Sequence, residues 1–173
     1  MKPTILKYGL YGAVTICLLS LLAWFAGSDL DLSTQELLGY ASMVAALSFV
    51  YFGIRHFRDR LNSGMLSLGT GIRIGLGISL ITALAFGILD LIYILWINPD
   101  FLDSYYAQVV ADLKSSLPEE ELAERLRAME AEKEFWSSPW LSFAVMFLTV
   151  FLIGVVISLI SALALQRKAS QPL

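Results

Sequence analysis

The sequence contains a single cysteine, Cys17, and a single histidine, His56. One cysteine excludes an intramolecular disulfide, and together the two residues are too few to ligate structural zinc or an iron–sulfur cluster. The chain also lacks the GxSxG, HExxH and GK[ST] motifs of serine hydrolases, zinc proteases and phosphate-binding loops. We therefore predict no metal, no cofactor and no histidine-based catalytic triad.

Charged residues are also scarce, at 16% of the 173 residues, whereas hydrophobic residues make up 57%. The mean hydropathy is +0.71. This composition supplies far more apolar surface than one small water-soluble core could bury, so lipid is the expected solvent. The few charges are a weak electrostatic footprint for nucleic acid, which we exclude as a partner.

Four apolar stretches satisfy the length of a membrane-spanning helix, about 20 residues. They lie at about 5–26, 37–54, 74–97 and 140–165. The first resembles a signal peptide, because small residues at 26–28 follow its apolar run. The uncharged run at 8–27 is too long for a signal core of about 7–15 residues, so we expect a retained span. The predicted fold is an all-helical, four-span membrane protein, a single domain over 1–173.

The distribution of lysine and arginine predicts the orientation of the spans. Eight of the twelve basic residues lie at the two termini and in the connection at 55–73: Lys2, Lys7, Arg55, Arg58, Arg60, Arg73, Arg167 and Lys168. The connection at 27–36 holds three acids and no base. Both termini and the 55–73 connection are therefore expected in the cytoplasm. All four tryptophans agree, because they fall at the predicted outer interface: Trp24, Trp96, Trp136 and Trp140.

The long connection at about 99–138 predicts two amphipathic helices. Asn98 and Pro99 are typical of a helix start, and Ser116 with Glu119 has the spacing of a capping box that starts a second helix. Apolar residues recur at helical spacing in both halves: Leu102, Tyr105, Tyr106, Val109, Leu113, Leu122, Leu126 and Met129. We expect a helical hairpin on the outer membrane surface, too acidic to bind anionic headgroups strongly.

The third and fourth spans share a near repeat, GLGISLITALAF and GVVISLISALAL, identical at eight of twelve positions. A duplicated element of a transporter is one interpretation. Close helix packing is the other, because small residues follow one another at every fourth position: Ser67, Gly71, Gly75, Ser79, Ala83 and Gly87, and then Gly154, Ser158 and Ala162. We favour packing, with the two spans either against each other or in a dimer contact.

Several stretches carry a resemblance to a known family. They are SFVYFGIRHFRDRLNSGMLSLGTGIRIGLGISL, the later NPDF, the acidic hairpin, and the ending GVVISLISALALQRK. With these features the chain resembles the bacterial integral-membrane family catalogued as domain of unknown function 4199, over nearly its whole length. The resemblance implies a four-helix protein of a bacterial inner membrane, so that the outer side is the periplasm. It implies no activity and transfers no catalytic residue.

Asp90 is the main candidate functional residue, because a carboxylate within an apolar span usually faces protein or water. A structural role as a hydrogen-bonded group, with Tyr93 or Thr149 as partner, is one interpretation. Proton or ion coupling is the other.

The basic run of Arg55, Arg58 and Arg60 has two interpretations as well. It could anchor the cytoplasmic end of the second span to anionic lipid, which its position alone explains. It could instead dock a cytoplasmic protein. His56 is read as an interfacial side chain rather than a catalytic base, and Lys7 as a residue that extends toward the headgroups.

Three functional hypotheses follow. The leading one is a small non-enzymatic membrane protein that acts by association, as an accessory subunit or as a homo-oligomer. The second is a small proton-coupled carrier that uses Asp90. The third is an enzyme acting on a lipid-linked substrate with Asp90, Asp100 and Asp103 as its acids, although solvated residues at a helix start explain the last two equally well.

Overall fold

The computed structural model describes residues 1–26, 30–116 and 118–167. Six α-helices contain most of them: α1 (Lys2–Ala26), α2 (Leu32–His56), α3 (Leu68–Ile92), α4 (Phe101–Ser116), α5 (Glu119–Trp136) and α6 (Pro139–Leu165). The described part of the chain has no β-strand, only an isolated antiparallel bridge between Leu66 and Arg167. Some positions within the segments discussed above lie outside the described ranges: 27–29, 117 and Lys168.

Four helices are long and apolar enough to cross a membrane. They comprise Lys2–Phe25, Ser33–Leu61, Leu68–Ile97 and Pro139–Leu165. Each has at least 24 residues, whereas about 20 suffice to cross the hydrocarbon core. The prediction of an all-helical chain with four apolar spans is confirmed.

Two of these helices extend further than expected through wider π-helical turns. Phe57–Leu61 continues α2, and Tyr93–Ile97 continues α3. Since α3 begins at Leu68, the connection expected at 55–73 is largely helical, and only residues 62–67 lie between helices. The chain turns where the sequence reads Asn-Ser-Gly, with Ser63 at φ 52° and Gly64 at φ 78°. No proline interrupts the helix before this turn, so the charged segment Phe57–Leu61 continues the helix.

The start of α2 is fixed by Asp31. Its carboxylate accepts hydrogen bonds from the hydroxyl of Ser33, from the Thr34 hydroxyl at 2.8 Å and from the Thr34 amide at 3.0 Å. This is N-terminal capping, which satisfies an amide that has no partner inside the helix. The hydrogen bonds, that of Ser33 first, lower the pKa of the Asp31 carboxyl to about 2.

The chain divides into two compact units. The first comprises Met1–Phe86 and Met146–Leu173. It contains α1, α2, most of α3 and most of α6, around a core of fully buried apolar residues: Ile16, Leu47, Val50, Ile54, Ile74, Ile78 and Val150.

The second unit comprises Gly87–Val145 and includes the hairpin of α4 and α5. Within it the Lys133 ammonium lies 2.5 Å from a carboxylate oxygen of Asp103, and Met129 is buried. α4 begins at Phe101, two residues after the expected start at Pro99, and Asn98 donates its side-chain amide to the Tyr93 hydroxyl rather than capping α4. The predicted capping box of α5 depends on the side chains of Ser116 and Glu119, which lie outside the part of the chain that the structure describes.

Candidate functional site

Within the first unit, α3 and α6 approach each other closely at small residues. A methyl group on Gly75 would lie 2.6 Å from Cβ of Ser158, and one on Gly154 would lie 2.5 Å from Cβ of Ser79. At Gly71 it would lie 2.8 Å from Cβ of Ala162. Side chains larger than those present do not fit at these separations, so the two backbones approach as closely as small residues permit. These four glycine and serine positions, 75, 79, 154 and 158, are called the glycine–serine seam below.

The seam is made of the two copies of the repeat. Gly75 and Gly154 occupy the same place in the two copies, and so do Ser79 and Ser158. Because the helices run antiparallel, the glycine of each copy meets the serine of the other. The repeated segments therefore pack on each other with approximate two-fold symmetry, as the interpretation of the repeat as a close helix contact expects.

Packing rather than hydrogen bonding dominates this contact. The Ser79 hydroxyl donates to the carbonyl of Gly75 at 2.9 Å, and the Ser158 hydroxyl donates to the carbonyl of Gly154 at 2.6 Å. The two hydroxyl oxygens are 3.4 Å apart across the seam. Each hydroxyl is thus satisfied four residues back in its own helix, and the interhelical bond is long.

The remaining residues of the predicted packing face have different environments. Ser67 is exposed and caps α3, accepting from the Thr70 amide at 3.3 Å and donating to the Thr70 hydroxyl at 2.8 Å. Ala83 is fully buried in the first unit. Gly87 is buried as well and belongs to the second unit.

In the second unit Asp90 is buried, with 7% of its surface exposed. Its carboxylate accepts a hydrogen bond of 2.8 Å from the hydroxyl of Ser142, near the start of α6. Among the described residues no lysine, arginine or histidine forms an ion pair with it. The sequence identified Asp90 but not Ser142.

The three arginines of the basic run differ in their environments. Arg58 has only 12% of its side chain exposed, lies 2.6 Å from the Asp59 carboxylate, and donates to the carbonyl of Leu165 at 3.4 Å. That carbonyl belongs to the last residue of α6, where helix carbonyls lack partners and a cation is favourable. Arg55 is 56% exposed and 3.5 Å from Asp59, and Arg60 is exposed. Arg58 therefore holds the end of α6. Its place in the sequence does not distinguish it in this role from Arg55 and Arg60.

Further contacts bring the basic segments to one end of the first unit. Leu66 and Arg167 exchange backbone hydrogen bonds of 3.0 and 2.9 Å, which join the 62–67 turn to the chain after α6. The Tyr8 ring lies 5.5 Å from the His56 ring, which places the start of α1 beside the end of α2. We call this the basic end, because it includes seven of the eight basic residues predicted to be cytoplasmic: Lys2, Lys7, Arg55, Arg58, Arg60, Arg73 and Arg167.

The described residues hold no group of three or more histidine, cysteine, aspartate or glutamate side chains placed to bind a metal ion. Asp103 is engaged by Lys133, whereas Asp100 is exposed. The structure does not bring Asp90 and these two acids into one hydrogen-bonded cluster among the contacts it describes.

Comparison with known proteins identifies a family. No curated protein and no solved structure matches the chain. A family model described as protein of unknown function, DUF4199, matches residues 7–167 and so includes most of the first apolar helix, the other three apolar helices and the hairpin. The resemblance noted in the sequence is confirmed, and the chain belongs to the DUF4199 family.

Proposed function

We propose that the chain is a small non-enzymatic protein of a bacterial inner membrane that acts by association, as an accessory subunit or as a homo-oligomer. In this proposal it crosses the membrane four times, with both termini in the cytoplasm and the α4–α5 hairpin in the periplasm. The basic end supports this orientation, because lysine and arginine concentrate in cytoplasmic segments of inner-membrane proteins.

The observation that carries the proposal is the aromatic surface of the second unit. The rings of Tyr93, Phe101 and Tyr105 follow one another with centroids 5.6 and 6.3 Å apart. Phe101 and Tyr105 each keep 41% of their surface exposed. Aromatic residues are enriched at the centres of protein interfaces, where they contribute a large contact area.

Two further features favour a protein partner for this surface. The small residues at 71, 75, 79, 154, 158 and 162 already pack α3 against α6 within one chain, so association has to use other residues. The exposed face of α5 is rich in glutamate, with Glu121, Glu124, Glu130 and Glu132, which disfavours anionic lipid as the occupant.

The test is purification of the full chain from its native host in a mild detergent, with the mass and the composition of the particle measured together. A stoichiometric second protein or a homo-oligomer is expected. Tyr105→Ala should dissociate it, whereas Tyr40→Ala, the same change at a similarly exposed tyrosine of α2, should not. A monomer without a partner contradicts the proposal. An assembly equally insensitive to both changes contradicts the assignment to the hairpin.

The second candidate, a proton-coupled carrier, is favoured by the buried carboxylate of Asp90 with a hydroxyl as its partner. Ionisable groups in membrane spans commonly lie on proton or ion pathways. Asp90→Asn preserves the size and an acceptor oxygen but removes titration. If Asp90→Asn abolishes the protein's function in its host while the particle mass stays normal, the carrier is favoured. If the host tolerates the change fully, the carrier is eliminated.

A further inference from the structure

At the basic end, Lys7 is held against the surface of α1. Its ammonium nitrogen lies 5.9 Å from the ring centroid of Tyr8 and 5.9 Å from that of Tyr11. A cation near the faces of two aromatic rings is attracted by both. Among the residues that the structure describes, no carboxylate lies within ion-pair distance of Lys7. The result is a positioned, exposed positive charge without an anionic partner.

The two tyrosines continue onto α2. The Tyr8 ring lies 5.5 Å from the ring of His56, and the Tyr11 ring lies 5.7 Å from that of Phe49. Tyr8 also passes close to the backbone at Gly53, where a Cβ would lie 3.2 Å from Cβ of Tyr8. We call Tyr8, Tyr11, Phe49 and His56 the aromatic strip. It follows the α1–α2 contact from the basic end for about 10 Å, the rise of seven helical residues.

We propose that Lys7, His56 and the aromatic strip bind one anionic phospholipid, with its phosphate at Lys7 and His56. The ammonium supplies charge, and an imidazole N–H supplies a hydrogen-bond donor for a phosphate oxygen. One acyl chain lies along Tyr11 and Phe49, where the rings offer an apolar surface beneath the polar headgroup. The site lies in the leaflet at the basic end and is independent of the association through the hairpin.

Charge and surface both identify a lipid as the occupant. The acid near the arginines, Asp59, is already engaged by Arg58 and Arg55, so it does not neutralise Lys7. The strip is continuous with exposed apolar residues of α1, including Leu10 and Val14, which face outward on a membrane-spanning helix. A soluble phosphate would gain the two polar contacts but none of this apolar surface.

The experiment is native mass spectrometry of the full chain released from nanodiscs that contain equal amounts of phosphatidylglycerol and phosphatidylcholine. The wild-type protein is expected to retain one phosphatidylglycerol in preference to phosphatidylcholine. Lys7→Gln should lower this preference about fivefold, the effect of one basic residue at an anionic surface. Lys7→Arg should preserve it, because the charge remains. Since Lys7 is exposed, neither change threatens folding.

Lys2→Gln is the matched control, because it removes the same charge from another exposed lysine of α1, for which the structure describes no aromatic contact. We expect it to change the preference less than about twofold. The attraction of an anionic headgroup near Lys2 is nonspecific, and neighbouring basic residues contribute to it as well. An equal loss for Lys2→Gln and Lys7→Gln, or no preference in the wild type, would overturn the site. Displacement of the lipid by millimolar glycerol 3-phosphate would show that the site binds a soluble anion, and would overturn its assignment to a phospholipid.

Discussion

The hydroxyl oxygens of Ser79 and Ser158 face each other across α3 and α6 at 3.4 Å, yet each donates to a carbonyl of its own helix. The hydroxyls therefore contribute mainly by being small and already satisfied. In lipid no hydrophobic effect drives helices together, so the dispersion contacts that such close approach permits hold α3 against α6. The seam should consequently be sensitive to size rather than to hydrogen-bonding capacity.

Gly75→Ala should destabilise the protein by about 1–3 kcal/mol. The added methyl group would lie 2.6 Å from the Ser158 Cβ, which cannot move away without moving the backbone of α6. The steric conflict includes the Ser158 Cα, which would lie 3.2 Å from the new methyl carbon. The measurement is unfolding in mixed detergent micelles followed by circular dichroism.

The matched control for Gly75 is Gly69, also in α3, where an added methyl group would meet nothing within 4 Å. Gly69→Ala should be neutral or stabilise the helix by up to about 1 kcal/mol, since alanine is the better helix former. Equal unfolding midpoints for the two variants would show that the seam is not closely packed.

Ser142→Ala should destabilise the protein by about 1–2 kcal/mol, because it leaves the buried Asp90 carboxylate without the hydroxyl that it accepts from. Ser104→Ala, at an exposed serine of α4, provides the comparison and should change stability by less than about 0.5 kcal/mol. If the two serines are equally dispensable in the same unfolding assay, Ser142 does not support Asp90.

Arg58→Gln should lower stability by about 1 kcal/mol, because Gln cannot supply a cation to Asp59 and to the last carbonyl of α6. Arg60→Gln removes the same charge two residues later, at an exposed side chain, and should be close to neutral. Hydrogen exchange at the C-terminal turn of α6 would locate the effect. Faster exchange there in both variants alike would contradict the assignment to Arg58.

The cap of α2 should weaken in acid. Because the pKa of the Asp31 carboxyl is about 2, below its ordinary 3.8, the folded chain binds this proton less readily than the unfolded chain. Its stabilising contribution is therefore complete above about pH 4–5 and is lost as the pH falls toward 2. A carbon-13 NMR titration of the Asp31 carboxyl should show a midpoint near 2, and Ser33→Ala should raise it. A wild-type midpoint near 3.8 would contradict the cap.

Much of this fold can be predicted from the sequence, because span length and apolar composition are properties of uninterrupted segments. The bounds are less predictable: Phe57–Leu61 and Tyr93–Ile97 continue their helices as π-helical turns, and neither segment contains a proline or glycine that would mark a change in the helix. The turn at Asn62-Ser63-Gly64 does carry a signal, since Gly64 adopts positive φ.

The candidate residues likewise divide into those that the sequence predicts and those that it does not. Asp90 is conspicuous because a carboxylate within an apolar run is costly, whereas Ser142 is a common residue in apolar helices. The repeat offers a signal for Ser142. If position 75 pairs with 158 in antiparallel helices, the same register pairs position 90 with 143, one residue from Ser142. Arg58 cannot be separated from Arg60 by sequence, because its distinction depends on where α6 ends.

The most direct test of the proposed membrane protein is its orientation, measured with reporter enzymes active only in the periplasm or only in the cytoplasm. Fused at Lys114, in α4, the periplasmic reporter should be active and the cytoplasmic one silent. Fused at Asn62, in the turn before α3, the two reporters should give the opposite result. Reversed activities would invert the topology, and equal activities at both sites would contradict a fixed crossing between them.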